Sequence, residues 1–351
     1  MTGDQLVAPF PYFGGKRKAA PMIWPRLGDT PNYIEPFAGS LAVLLARPHP
    51  PRTETVNDLD GLLVNFWRAT AAEPDAVAAA ADWPVTELDL TARHAALVRA
   101  RSDLTARLEA DPHYYDATLA GWWVWGACAW LGSGWCSGEG PWSVVDGVLV
   151  KADRDGVKRK LPHLGDAGTG INRQLPHLGN DGRGINRQLP HLGDAGKGVN
   201  GQHAAIREWM HALSDRLRRV RITTGDWQRV LTPSVTTKHG LTAILLDPPY
   251  DHEAIQDARM YGGGTYDKSI SAAVRQWCIQ NGADPLLRIA LCGYGTEHDE
   301  LLAHGWTRES WRARKGYQSV SSDGTHTGHL EAIWYSPNCI NPDAQPGLFD
   351  N

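Results

Sequence analysis

The clearest chemical pattern in the sequence is Asp-Pro-Pro-Tyr at positions 247–250. It directly follows the apolar run Ala-Ile-Leu-Leu at 243–246, so it stands at the carboxyl end of a predicted strand, where open α/β sheets bind ligands. Prolines carry no N–H, which leaves the Pro248 carbonyl and the Asp247 carboxylate as pure acceptors. The set suits an amino group on an aromatic base, with Tyr250 stacked on the ring. A proline-rich turn that merely ends a strand is the alternative.

Gly39 and Asp58 form a second candidate pair. Gly39 lies between a predicted strand and a predicted helix, where a glycine allows the backbone to approach a ligand closely. Asp58 ends the next predicted strand, and this spacing suits an acidic residue that holds ribose hydroxyls. Nicotinamide cofactors use the same geometry, but no Gly-x-Gly-x-x-Gly follows the first strand, which argues against a dehydrogenase.

An α/β sheet is needed to position these residues. Residues 31–67 read as strand, glycine turn, helix, strand, acidic turn and helix. Short apolar runs recur at 220–224, 242–246, 287–292 and 330–335, with a helical stretch at 269–280. Strands that alternate with helices predict a mostly parallel α/β sheet. We expect a catalytic domain made of residues 1–70 and 220–336, an insertion at 71–219, and an irregular tail at 337–351.

The predicted insertion has three parts. A charged, helix-like stretch at 86–108 precedes a segment at 121–142 that is dense in tryptophan and glycine. A 14-residue unit then occurs in three copies over about 159–200. A helix across 203–219 returns to the core, because apolar residues recur every three or four positions at Ile206, Met210, Leu213 and Leu217. The repeated His163, His177 and His191 follow from duplication and have no second ligand type nearby, so we expect no metal site.

The charge is unevenly distributed along the 351-residue chain. Net charge is −4, yet residues 151–221 hold 14 Lys and Arg against 7 Asp and Glu. This asymmetry fits a basic face for phosphates or a solvated basic loop. No run reaches the roughly 18 apolar residues that span a membrane, the amino terminus has no signal-peptide pattern, and the five cysteines lack Cys-x-x-Cys spacing. We therefore expect a cytoplasmic protein.

The motif set resembles a known family. Asp-Pro-Pro-Tyr at 247–250 resembles the catalytic signature of amino-methyltransferases, which act on adenine N6 or cytosine N4. Pro-Tyr-Phe-Gly-Gly-Lys at 11–16 resembles the opening motif of Dam-like (class α, D12-type) DNA adenine methylases. Residues 33–40, Tyr-Ile-Glu-Pro-Phe-Ala-Gly-Ser, are similar to their cofactor loop, residues 57–60 to their second strand end, and residues 224–227 to a further motif. The order of the motifs also agrees.

The resemblance implies a Rossmann-like S-adenosylmethionine-dependent methyltransferase sheet with an inserted target-recognition domain. It implies site-specific N6 methylation of adenine in double-stranded DNA, in a restriction-modification context, with the target base flipped into the pocket. The expected catalytic residues are Asp247, Pro248, Pro249 and Tyr250. The expected S-adenosylmethionine contacts are Tyr12, Gly14, Gly15, Lys16, Glu35, Phe37, Gly39, Asp58, Asp226, Trp227 and Asp247. The expected phosphate contacts in the basic insertion are Arg173, Arg183, Arg187 and Lys197.

The sequence departs from the family in two places. Leu41 occupies the second glycine position of the cofactor loop, which we expect to narrow the approach to the methionine moiety. Residues 122–142 lack the family's usual pattern, so the recognition sequence does not transfer. Cytosine N4 methylation, an RNA or protein-amide methyltransferase, and a non-catalytic DNA-binding module are the alternatives. At 345–349, Gln-Pro-Gly-Leu-Phe resembles the peptide that docks bacterial sliding clamps; a frayed tail is the other interpretation.

Overall fold

Strands and helices alternate along much of the chain. The computed structural model describes residues 6–10, 12, 15–130, 135–136, 142–145, 148–151, 203–250, 269–312 and 330–342. The helices are α1 Ala20–Leu27, α2 Ala42–Leu45, α3 Gly61–Ala72, α4 Pro74–Ala81, α5 Glu87–Ala110, α6 Ala117–Ala129, α7 His203–Leu217 and α8 Ser269–Asn281. The strands are β1 Asn32–Glu35, β2 Thr53–Asp58, β3 Trp142–Val145, β4 Val148–Lys151, β5 Val220–Thr224, β6 Thr242–Leu246, β7 Leu287–Tyr294, β8 Thr307–Arg312 and β9 Leu330–Tyr335.

Within the described residues, seven strands form one sheet in the order β5-β2-β1-β6-β7-β9-β8. The first five strands in this order run parallel, while β9 is antiparallel to both β7 and β8. The prediction of a mostly parallel α/β sheet is therefore confirmed. Because β9 runs against β6 and β7, its first residues lie at the edge where those strands end. Strands β3 and β4 form a separate antiparallel pair.

The sheet core is built from residues that the sequence pattern marked as apolar. Strand β6 is buried at every position, as is β1. The four apolar residues that recur along α7 are also buried: Ile206, Met210, Leu213 and Leu217. A single hydrophobic cluster joins Tyr33 and Val56 of the sheet to Trp67 of α3, Trp125 of α6 and Met210 of α7. Helices of the predicted insertion thus pack into the same core as the sheet.

Helix α7 is fastened to the sheet by polar contacts. The Ser214 hydroxyl donates to the Ala71 carbonyl at 2.9 Å, which joins the end of α3 to α7. Arg216 forms two bonds with the Glu54 carboxylate, at 2.6 and 2.9 Å, and Arg47 adds a third at 2.9 Å. Glu54 is buried in β2. Removing one partner of such a buried network lowers the free energy of unfolding by about 3–5 kcal/mol. These contacts hold α7, and the strand β5 that follows it, against β2.

Several expectations fall outside the described residues. They concern Gly14, the 14-residue units with Arg173, Arg183, Arg187 and Lys197, and the peptide at 345–349. In the described part of the chain, no helix has the length and apolar character needed to cross a membrane. Those same residues hold no group of three or more His, Cys, Asp or Glu side chains arranged to bind a metal ion.

Candidate active site

Three polar side chains meet where β6 ends. Asp247 is the first residue after the strand, and Lys16 projects from the single-turn 3-10 helix Lys16–Lys18. The Lys16 ammonium lies 3.0 Å from Asp247 Oδ1. The Tyr250 hydroxyl donates to the same oxygen at 3.2 Å, and the Lys16 Nζ is 5.1 Å from the centre of the Tyr250 ring. The structure thus brings together two sequence motifs that lie more than two hundred residues apart.

The opposite charges of Lys16 and Asp247 stabilise each other in this cluster. Burial raises the pKa of Asp247, while the ammonium of Lys16 and its hydrogen bond oppose that rise. Burial also disfavours the charged form of Lys16, but attraction to Asp247, Cys292 and Glu331 holds the Lys16 pKa above its usual value. Lys16 therefore stays protonated at neutral pH. Sequence reasoning did not identify Glu331, whose Oε2 lies 3.8 Å from Lys16 Nζ, although a lone acid in an otherwise apolar strand was a usable signal.

The loop after β1 is held by the end of β2. The Gly39 amide donates to Asp58 Oδ2 at 2.9 Å, and the Asp60 amide donates to Asp58 Oδ1 at 2.9 Å. Burial raises the Asp58 pKa to about 6, with the backbone hydrogen bonds acting against this rise. Gly39 has φ +47°, and a Cβ there would lie 2.7 Å from Cε1 of Tyr12. Only glycine fits this conformation beside Tyr12 without a shift of the ring.

Asn57 connects three strand ends beneath this loop. Its Nδ2 donates to the Pro36 carbonyl at 3.1 Å and to the Gly225 carbonyl at 2.9 Å. Its Oδ1 accepts from the Thr223 hydroxyl at 3.0 Å, and the side chain is buried. One amide therefore sets the loop after β1 and the turn after β5 relative to β2.

Phe37 and Trp227 form the wall between those two segments. Their rings stack with centroids 6.0 Å apart and planes 28° apart. Asp226 is exposed, and its Oδ1 accepts from the Gln228 amide at 2.8 Å. Trp227 is buried in a hydrophobic cluster that Phe37 borders. Trp227 thus contacts the predicted cofactor region through Phe37.

Leu41 adopts the left-handed conformation, with φ 54° and ψ 26°. This backbone favours glycine, and here a leucine has it at the position where the resembling family has its second glycine. The side chain is fully buried in the core cluster and is not among the residues that line the pocket. The expectation that Leu41 narrows the pocket is therefore wrong, because its side chain turns inward and packs in the core.

Glu35 is a buried acid at the end of β1. The Tyr33 hydroxyl donates to Glu35 Oε1 at 2.5 Å. Burial raises the Glu35 pKa to about 8, with the Tyr33 hydrogen bond and a backbone bond from Leu44 opposing that rise. Glu35 is thus largely neutral at pH 7 in the ligand-free protein.

One pocket collects most of the predicted site residues that the structure describes. From the predicted set it is lined by Tyr12, Gly15, Lys16, Glu35, Phe37, Gly39, Asp58, Asp247, Pro248, Pro249 and Tyr250. Asp226 and Trp227 are not part of this lining. The structure adds Ala38, Ser40, Ala42, Val43, Leu59, Leu245 and Ile270. Leu59 directly follows Asp58 and is 71% exposed, so it presents an apolar surface at the pocket.

The pocket lining combines hydrogen-bond acceptors with apolar and acidic side chains. Lys16 and Tyr250 both direct their bonds to Oδ1 of Asp247, so Oδ2 and the Pro248 carbonyl are the acceptors placed to receive an amino group. The lining also holds the acidic side chains of Asp58 and Asp247, the largely neutral Glu35, and one lysine, Lys16. This arrangement suits a cationic ligand beside an amino-bearing aromatic ring.

One comparison with known proteins gives a match. Residues 12–113 match the family described as D12 class N6 adenine-specific DNA methyltransferase. No curated protein matches the chain significantly. The matched segment contains Tyr12, Lys16, Gly39 and Asp58, and the seven-stranded, mostly parallel sheet has the Rossmann-like form of methyltransferases. Over these residues the resemblance to Dam-like, D12-type enzymes is confirmed.

Proposed function

We propose that this chain is a D12-class DNA adenine-N6 methyltransferase that uses S-adenosylmethionine as methyl donor and receives its target adenine, flipped out of double-stranded DNA, against residues 247–250. The observation that supports this most directly is the convergence of Lys16 and Tyr250 on one oxygen of Asp247, in the pocket that also contains Gly39 and Asp58. The proposed acceptors for an amino group and the proposed binding residues for a nucleoside cofactor thus line the same pocket.

The pocket residues fit this cofactor. Gly39 lines the pocket and would bring its backbone close to the ligand. Asp58 would hold the ribose hydroxyls, Leu59 and Phe37 would pack on the adenosine, and the Asp247 carboxylate would favour the positive charge. Bound S-adenosylmethionine supplies a sulfonium methyl group, which needs no metal for its transfer. Lys16 already has carboxylate partners, so we assign it to Asp247 rather than to the cofactor carboxylate.

The chain's own residues act mainly by positioning. Asp247 Oδ2 and the Pro248 carbonyl accept the two N6–H bonds, which draws the nitrogen lone pair out of ring conjugation. Pro249 fixes the turn, and the Tyr250 ring stacks on the base. Flipping the adenine costs a few kcal/mol, which these contacts must offset. No covalent intermediate with the protein is required.

Nucleic-acid contacts outside the pocket belong to the same proposal. Residues 71–219 would recognise the target sequence. DNA phosphates would be bound by Arg173, Arg183, Arg187 and Lys197. Phosphate contacts position a protein on DNA without specifying the sequence. Alanine at these four positions should weaken binding to all DNA sequences alike, and a selective loss at one motif would contradict the assignment. The peptide at 345–349 would bind a sliding clamp, and its deletion should abolish capture of the protein on immobilised clamp.

The proposed reaction is tested by incubating the protein with S-adenosylmethionine carrying a radiolabelled methyl group and plasmid DNA that lacks methylated bases. The DNA is then digested and the labelled nucleoside identified. Label in N6-methyldeoxyadenosine is the expected result, and Asp247→Asn should lose transfer. Label in N4-methylcytosine would overturn the base assignment, and cofactor binding without any label would overturn the reaction.

A further inference from the structure

Glu331 reaches the catalytic edge of the sheet because β9 runs against its neighbours. It lies opposite Tyr294, the last residue of β7. Its Oε2 is 3.8 Å from Lys16 Nζ, whose nearer carboxylate partner is Asp247 at 3.0 Å. The Lys16 side chain is 5% exposed and that of Glu331 is 18% exposed. One buried ammonium therefore lies between carboxylates from two different strands.

The second carboxylate affects where the ammonium can sit. An ammonium has three N–H donors on a flexible stem and no fixed plane, so a single carboxylate does not define its direction. With Asp247 alone, Lys16 would be free to bridge both oxygens of that carboxylate. An amino group of the substrate needs one of those oxygens. A charge at Glu331 draws Nζ to one side and keeps it on Oδ1 of Asp247.

We propose that Glu331 is a positioning residue for methyl transfer: it holds Lys16 at one oxygen of Asp247 so that the other oxygen stays available to the target amino group. The inference rests on the function proposed above. Glu331 acts through Lys16 and is not among the residues that line the pocket. It also contributes to the high pKa of Lys16, together with Asp247 and Cys292.

Glu331→Gln tests the role of the charge while keeping the shape of the side chain. We expect its single-turnover rate of methyl transfer to unmethylated plasmid DNA to fall about tenfold or more, with the dissociation constant for S-adenosylmethionine within about threefold of wild type. Glu331→Asp should recover part of the rate, because it restores the charge on a shorter stem. Glu309→Gln removes the same charge from the neighbouring strand β8, beside Arg26, and should behave as wild type.

A double-mutant cycle separates positioning through Lys16 from a general structural effect. In a Lys16→Met background, Glu331→Gln should change the residual rate by less than about twofold, because the group it positions is gone. The thermal unfolding of the same four proteins should show coupling between the two sites.

Each failure has a distinct meaning. Wild-type protein that binds cofactor but transfers no methyl group would refute the proposed function and this inference with it. An active wild type with an unaffected Glu331→Gln variant would refute the inference alone. An equal loss from Glu331→Gln with and without Lys16 would also refute it.

Discussion

The backbone amide of Gly39 donates to Asp58 Oδ2 at 2.9 Å, so two residues expected to contact the cofactor separately also contact each other. The other Asp58 oxygen accepts from the Asp60 amide. The carboxylate therefore shapes the glycine loop before any ligand arrives. Burial raises its pKa to about 6, which places its protonation within reach of ordinary buffers.

We expect S-adenosylmethionine binding to weaken as the pH falls below 6. A carboxyl group with a pKa of about 6 gains its proton there, and the protonated group is a poorer acceptor for ribose hydroxyls and backbone amides. Well below the pKa, affinity should fall about tenfold per pH unit. Glu35, with a pKa of about 8, is already protonated in this window. Calorimetric titration between about pH 5 and pH 7 measures the effect, and an affinity that does not vary would contradict it.

Asn57→Asp should impair both stability and cofactor binding. The substitution replaces an N–H donor to two buried carbonyls, those of Pro36 and Gly225, with an acceptor that repels them. We expect a loss of about 2–4 kcal/mol in the free energy of unfolding. Asn338→Asp is the control, because Asn338 also donates to a backbone carbonyl, that of Asp284, but its bonds hold neither the loop after β1 nor the turn after β5. Equal losses of cofactor affinity in both variants would argue against a specific role for Asn57.

Substitutions of Leu41 should show an inverted order of stability. Leu41→Ala loses buried packing and should cost about 2–5 kcal/mol. Leu41→Gly loses the same packing but relieves the positive φ of 54°, so it should be about 1 kcal/mol more stable than the alanine variant. Leu44, equally buried but within α2, should show the opposite order, because glycine is the poorer helix residue there. The free energies of unfolding of the four variants, measured by denaturant titration, test this order.

Leu59 offers a test of the pocket's apolar wall. We expect Leu59→Ala to weaken S-adenosylmethionine binding about tenfold with little change in thermal stability, because the side chain is 71% exposed in the free protein. Leu88 is 80% exposed on α5 and does not line the pocket, so Leu88→Ala should change neither property. An unchanged affinity in Leu59→Ala would remove this residue from the site.

The ring and the hydroxyl of Tyr250 should contribute unequally to the rate of methyl transfer. Tyr250→Phe loses one bond of 3.2 Å to Asp247 and keeps the stacking surface, so the methylation rate should fall less than about fivefold. Tyr250→Ala also loses the ring that stacks on the base, so its methylation rate should fall about fiftyfold. Single-turnover assays at saturating cofactor compare them. Similar losses in both variants would instead assign the effect to the hydroxyl.

Much of the sheet was predictable because its strands are apolar runs with sharp ends. The predicted runs at 220–224, 242–246 and 330–335 match β5, β6 and β9, and β7 continues to Tyr294. Strand β8 was not anticipated, because Thr-Arg-Glu-Ser-Trp-Arg is mostly polar, as expected of an edge strand. The antiparallel direction of β9 was not predicted either, since strand direction depends on the partner and not on the strand's own pattern.

Helix α6 shows a different limit of prediction from the sequence. Its sequence contains three tryptophans and two glycines and has no amphipathic period, because most of the helix is buried. Gly121 lies against Ala80, and Gly126 lies under the ring of Trp135, where a side chain would collide. Such glycines serve close packing, which a single sequence does not reveal. Glu331 was missed for a related reason, since its partner Lys16 lies at the other end of the chain.

The anchoring of α7 has a consequence for how this protein can change over evolution. Ser214 and Arg216 fix the helix directly to Ala71 and Glu54, both of which precede the repeated units in the chain. The register of β5 beside β2 therefore does not depend on how many 14-residue units lie upstream. A chain with more or fewer of these units would keep the same contacts between α7 and the sheet.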